Sequence, residues 1–218
     1  ARDQFGGCSG NMLTASFPIT RGWEARGKDH IKACPAYVTA YALAVYDPED
    51  IWETKVFKHV SYAAQHPSAA VSVSSGYKLV GGGARVHFYG TGNLLTASYP
   101  FSPFGWYATS KDHLKKDASR IEVFVIGLRS KLGDAVKIDV EINSNTSPRY
   151  PHPFTSVAVP SDHVLVGGGA KVNWSGTGNL LTASYPESDG QWKGQSKDHI
   201  KSSPATIKVY SIGVKVDV

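Results

Sequence analysis

The chain is nearly free of sulfur: 218 residues hold two cysteines, Cys8 and Cys34, and one methionine, Met12. So few thiols exclude a small scaffold stapled by several disulfides and a four-thiolate zinc site. No stretch approaches the ~18 consecutive apolar residues of a membrane helix, so no membrane span is expected. Charged residues make up only 19% of the chain, and the net charge of +5 comes from lysines and arginines scattered among acids. A phosphate-tracking surface needs a clustered basic stripe, which excludes nucleic acid as an expected partner. No nucleophile elbow, His-Glu-x-x-His or phosphate loop with its lysine occurs, and an enzyme is not expected. The acids do not cluster at metal-ligand spacing, and a lysine precedes each repeated Asp-His pair, so neither metal nor cofactor is expected.

What the chain does contain is repetition, the strongest architectural signal a sequence can carry. Leu79 to Pro100 reads LVGGGARVHFYGTGNLLTASYP and Leu165 to Pro186 reads LVGGGAKVNWSGTGNLLTASYP, while Gly10 to Pro18 repeats the later half as GNMLTASFP. The match runs on through Trp23, Trp106 and Trp192 to three Lys-Asp-His triplets ending at His30, His113 and His199. Three copies are present: 1–55, a truncated first, then 56–141 and 142–218. Both cysteines belong to the first copy, and their pairing as a disulfide, Cys8 with Cys34, is expected to contribute about 3 kcal/mol.

The local pattern is β. Leu95, Ala97 and Tyr99 alternate with Thr96 and Ser98, the period of a half-buried strand. Arg120 to Val125 and Val136 to Ile142 alternate likewise, and Ala36 to Ala44, rich in Tyr, Val and Thr, aligns with the former as a strand. Glycine triplets at 81–83 and 167–169 mark a bulge or tight sheet packing. A copy of some five or six short strands suits a sheet or half-sandwich. The expected fold is therefore all-β, a single pseudo-threefold, β-prism-like body; three small tandem β-sandwich units are the alternative. The final strand, Val214 to Val218, is expected to close the ring against the first copy.

Candidate ligand-binding residues are the polar and aromatic positions present in all three copies while the loops between them drift. They are Asn11, Asn93 and Asn179; Trp23, Trp106 and Trp192; Lys28, Asp29 and His30; Lys111, Asp112 and His113; and Lys197, Asp198 and His199. An indole face stacks on the apolar face of a pyranose, a carboxylate accepts two hydroxyls, and Lys, His and Asn donate to sugar oxygens. The competing role for the same residues is structural, with the indole as a core plug and the carboxylate capping backbone amides.

In its copies of Asn-Leu-Leu-Thr-Ala-Ser-Tyr-Pro, Trp and Lys-Asp-His, the chain resembles the threefold-repeat β-rich lectins, of prism and trefoil type, at the level of architecture. That resemblance implies multivalent binding of glycans or glycoconjugates, one site per repeat, without catalysis. The absence of an initiator Met and two sequons, at Asn145 and Asn173, point to a secreted, extracellular protein. Two other functions remain open: a receptor-binding or targeting module or toxin subunit, and a secreted hydrolase or enzyme inhibitor.

Overall fold

The computed structural model describes residues 1–5 and 10–217. Apart from one 3-10 turn at Gly133–Ala135, the regular structure among these is all strand. The first copy supplies β1 (Arg2–Phe5), β2 (Met12–Ile19), β3 (Gly22–Lys28) and β4 (Ala36–Thr39). The second supplies β5 (Trp52–Val60), β6 (Ser68–Ser72), β7 (Lys78–His87), β8 (Leu94–Ser102), β9 (Gly105–Lys111) and β10 (Arg120–Ser130). The third supplies β11 (Lys137–Thr146), β12 (Phe154–Ala158), β13 (Val164–Asn173), β14 (Leu180–Ser188), β15 (Gln191–Lys197) and β16 (Thr206–Asp217). No helix among the described residues is long and apolar enough to cross a membrane.

The strands form three antiparallel sheets, ordered β3-β2-β7-β10-β5, β11-β16-β13-β8-β9-β6 and β12-β15-β14-β1-β4. Each sheet draws on two copies. The hairpin of one copy adds to the next copy's strands through a short shared ladder: Ser16 opposite Ala84, Ser98 opposite Ala170, and Arg2 opposite Ala183. Self-contained tandem sandwiches would not exchange strands in this way. The divisions after residues 55 and 141 fall inside β5 and β11, which pair without interruption along β10 and β16. Closure on the first copy is made by β14 against β1; the C-terminal strand β16 lies instead between β11 and β13, a correction to the expected ring closure. The strand expected over 36–44 stops at Thr39, and no regular strand resumes before Trp52.

Glycine permits the exchange. A Cβ on Gly83 would sit 2.2 Å from the Ser16 carbonyl oxygen, and one on Gly82 would sit 2.3 Å from the Trp106 ring, so only bare backbone passes here. The expected alternation in the Leu-Thr-Ala-Ser segment is interrupted by a bulge at Thr14, Thr96 and Thr182, each of which is buried. The extra residue lets Leu95 join the core while Ala97 and Tyr99 line an outer cleft.

Most buried apolar side chains, among them Leu13, Leu95, Leu181, Trp106, Ile121 and Ile207, form one continuous core. Equivalent residues Met12, Leu94 and Leu180 of the three copies meet in a second, small cluster. Full burial of each such side chain contributes about 1.5–3 kcal/mol. Cys34 is buried and its Sγ accepts the Gly10 N–H at 3.2 Å; Cys8, its expected disulfide partner, lies outside the described residues. The same position in the other copies is filled by Asp117 and Ser203, which accept the N–H of Gly92 and Gly178.

Candidate functional site

Each Lys-Asp-His triplet ends a hairpin strand, β3, β9 or β15, and leads into a tight turn. The residue after each histidine has positive φ (Ile31 66°, Leu114 61°, Ile200 65°), and the lysine beyond donates its N–H to the histidine carbonyl at 2.7–2.8 Å. Left-handed backbone is strained for Leu and more so for β-branched Ile. The strain is set against what the turn achieves, which is to send all three imidazoles inward to meet one another. Their ring centroids lie 5.5–5.8 Å apart.

The hydrogen bonds among them form a closed cycle. His30 Nε2 reaches the His113 carbonyl at 2.6 Å, His113 Nε2 the His199 carbonyl at 2.8 Å, and His199 Nε2 the His30 carbonyl at 2.7 Å. A carbonyl only accepts, so each Nε2 carries the proton and donates. On the other side of the rings, His30 Nδ1 lies 3.1 Å from Thr91 O and His113 Nδ1 3.0 Å from Thr177 O. The ammonium of Lys28 donates to that same Thr91 oxygen, and that of Lys111 to Thr177 O at 2.7 Å. Burial pushes the His113 pKa down to about 4, Lys111 and His199 adding to the effect, and burial likewise lowers Lys28, Lys111 and Lys197.

Many of the predicted binding residues therefore face inward. His30, His113, His199, Lys111, Lys197, Asn93, Asn179 and Trp106 are buried, out of reach of a sugar in solvent. The correction has a physical cause: many of their donors are spent on the protein's own backbone and hydroxyls, although the side-chain oxygens of Asn11, Asn93 and Asn179 have no partner among the described residues. Asn93 and Asn179 donate through Nδ2 to carbonyls of Gln65, Asp117, Pro151 and Ser203, and the partly exposed Asn11 donates to Cys34 O. Trp106 Nε1 donates to Ser98 Oγ, and the half-buried Trp23 and Trp192 donate to Ser16 and Ser184, all at 2.8–2.9 Å.

The aspartates lie nearer the surface. Asp29 is exposed, while Asp112 and Asp198 each hold an exposed histidine, His66 and His152, at 3.1 Å through Nε2. His66 leads to an outer cleft. Its ring meets the edge of Trp174 at 5.7 Å between centroids, and the Lys111 ammonium sits 4.8 Å from the centre of the same indole.

This cleft, about 670 Å³, opens where β13 of the third copy diverges from β8 of the second. Tyr99, Tyr107 and Trp174 give it aromatic surface; Thr109, Lys171, Asn173 and His66 give it a polar rim. Tyr99 stacks at 5.2 Å on Tyr210 with Lys171 above it, an arrangement that recurs as Arg85 over Phe17 on Phe124 and as Arg2 over Tyr185 beside Tyr41. Burial and the neighbouring phenol raise Tyr210 to about 12 and Tyr99 in the same direction, so both stay protonated hydrogen-bond donors.

No protein-family model matches the chain, and no curated protein is found as its relative. Function is therefore read from geometry. Sequence reasoning did not select Tyr99, Tyr107, Trp174, Lys171 or His66 as site residues, because it sought identity among copies. Trp174 stands where the second copy has Phe88, and Asn173 was noted only as a sequon. The available signal was the reverse one: an added Trp at a loop edge in one copy.

Proposed function

We propose that this protein is a secreted, non-catalytic carbohydrate-binding protein, built as a pseudo-threefold β-prism, whose ligand sites are the outer clefts between adjoining copies. The carrying observation is the open cleft that combines Trp174, Tyr99 and Tyr107 with the polar groups of Asn173, Thr109, Lys171 and His66. Aromatic faces of this kind accept the C–H face of a sugar ring, and the surrounding donors and acceptors fix its hydroxyls. Asp112 acts behind this surface by orienting His66, and Asp198 does the same for His152. Recurrence of the cation and aromatic stack at the three copy boundaries supports multivalency, with unlike linings that bind with unlike strength.

The test is a glycan array followed by titration calorimetry on the intact protein and on Trp174→Ala. Binding of a saccharide, weakened about tenfold or more by the substitution with the melting temperature nearly unchanged, is the expected result. A protein that binds no saccharide, or one whose saccharide binding ignores Trp174, removes this cleft from consideration.

A further inference from the structure

The cleft's charge is unlike that of its counterpart. On the strand pair formed by β7 and β10, Arg85 lies directly opposite Glu122, and their side chains form an ion pair at 2.6 Å that His87 and Lys58 join at 3.0 and 3.4 Å. On the equivalent pair formed by β13 and β16, the two places are taken by Lys171 and Lys208, again directly opposite. Neither lysine has an ion-pair partner among the described residues, and each ammonium rests on a tyrosine, Lys171 on Tyr99 at 5.6 Å and Lys208 on Tyr210 at 5.2 Å. Lys171 lines the cleft, Lys208 stands beside it on the neighbouring strand, and no Asp or Glu among the described residues lines it. Like charges facing each other across antiparallel strands destabilise a sheet. Where the second copy answers its cation with a buried carboxylate, the third leaves the answer to be supplied.

We propose that the missing carboxylate comes from the ligand, and that this cleft selects an acidic saccharide, one carrying a uronate carboxylate or a sulfate. The inference rests on the carbohydrate-binding reading of the same cleft. The anionic group docks between the Lys171 and Lys208 ammonium groups, making charge-assisted hydrogen bonds, while its ring lies toward Tyr107 and Trp174. His66, held by Asp112, supplies a further donor at the cleft's other end. Neutral sugars meet the same aromatic surface but leave the lysine pair unanswered.

The decisive variant is Lys208→Glu, which rebuilds the Arg85–Glu122 arrangement by giving Lys171 an internal partner, so the fold is retained while the anion site is filled from within. Binding is measured by calorimetry at two salt concentrations, with oligogalacturonate as the carboxylate probe, a dextran sulfate oligomer as the sulfate probe and unmodified dextran as the neutral control. The native protein is expected to bind at least one acidic probe about tenfold or more tightly than dextran and to lose that margin as salt rises. Lys208→Glu is expected to abolish the margin without lowering the melting temperature, and which acidic probe responds tells carboxylate from sulfate. Equal binding of neutral and acidic probes, or an unchanged margin in Lys208→Glu, overturns the charge selection and leaves carbohydrate binding standing. Failure of every saccharide to bind removes both.

Discussion

Asp3 occupies a place where the other copies have Val86 and Val172, and replacing it with valine should stabilise the protein by an amount that depends on pH. The equivalence follows from register: Asp3 faces Val38 as Val86 faces Ile121 and Val172 faces Ile207. Its side chain is 95% withdrawn from solvent, at 5% exposure, and neither carboxyl oxygen has a hydrogen-bond partner among the described residues. Desolvation raises its pKa from 3.8 to about 6, and the nearby Lys197 charge offsets only part of that rise. The folded value lies above the unfolded one, so between these limits the folded state keeps a proton that the unfolded chain has released. Native stability accordingly falls as pH climbs through this window, and above it the full penalty is present. At 1.36 kcal/mol for each tenfold change the penalty is about 3 kcal/mol, or about 6–12 °C in melting temperature for a chain of this size. Asp3→Val should recover most of it at pH 7.5 and little at pH 4, as read by thermal melts of variant and native protein side by side. Taking the difference at each pH cancels the titrating groups that do not interact with Asp3, Lys197 being the one that does. A gain that is the same at both pH values, or a loss at pH 7.5, refutes the claim that Asp3 is a buried, uncompensated carboxylate.

The histidine ring predicts the opposite trend for the native chain. The folded pKa of His113, about 4, lies below the unfolded value of 6.5, so its contribution is present above the upper limit and is lost as pH falls toward the lower. That amounts to about 3 kcal/mol from this residue, most of it desolvation, with repulsion from Lys111 and His199 included. The stability of the native protein relative to His113→Asn, read by denaturant unfolding at pH 7, 5.5 and 4, should fall as the pH falls; a difference that stays constant counts against a neutral His113. Gly83→Ala should cost about 4 kcal/mol or more, because its Cβ meets the Ser16 backbone at 2.2 Å with no flexible group to yield. Soluble protein with a native melting temperature would show that the crossing of β7 over β2 is not so tight.

The all-β class, the strand-rich copies and the function of the glycines were legible because period-2 alternation and turn residues report on local backbone, which sequence encodes directly. Exchange of strands between copies was not legible: Ser16 and Ala84 meet through a ladder only a few residues long, and nothing local in either segment announces a partner so far along the chain. The bulge at Thr96 escaped for a related reason, since one unpaired residue leaves the apolar alternation looking intact while it reverses the faces beyond. In the triplets, Lys-Asp-His was recognised as a unit, but its three residues diverge in space. His113 turns to the interior, Lys111 lies along an indole, and only Asp112 remains near the outside, where it meets His66.

The geometry of the ring explains why repetition marked the scaffold and variation marked the cleft. Each imidazole donates to the next histidine's main-chain carbonyl, so replacing the side chain in any one copy leaves a neighbour's buried carbonyl without its donor. Those bonds are buried, where a lost partner costs about 1–3 kcal/mol apiece. Three copies bound in this way must keep the same residues there. Glu122 and Lys208 carry no such mutual dependence: each meets side chains of its own sheet, Glu122 those of Arg85, His87 and Lys58 and Lys208 that of Tyr210, away from the histidine cycle. The boundaries between copies are accordingly where side chains differ, as Trp174 does from Phe88 and Lys208 from Glu122.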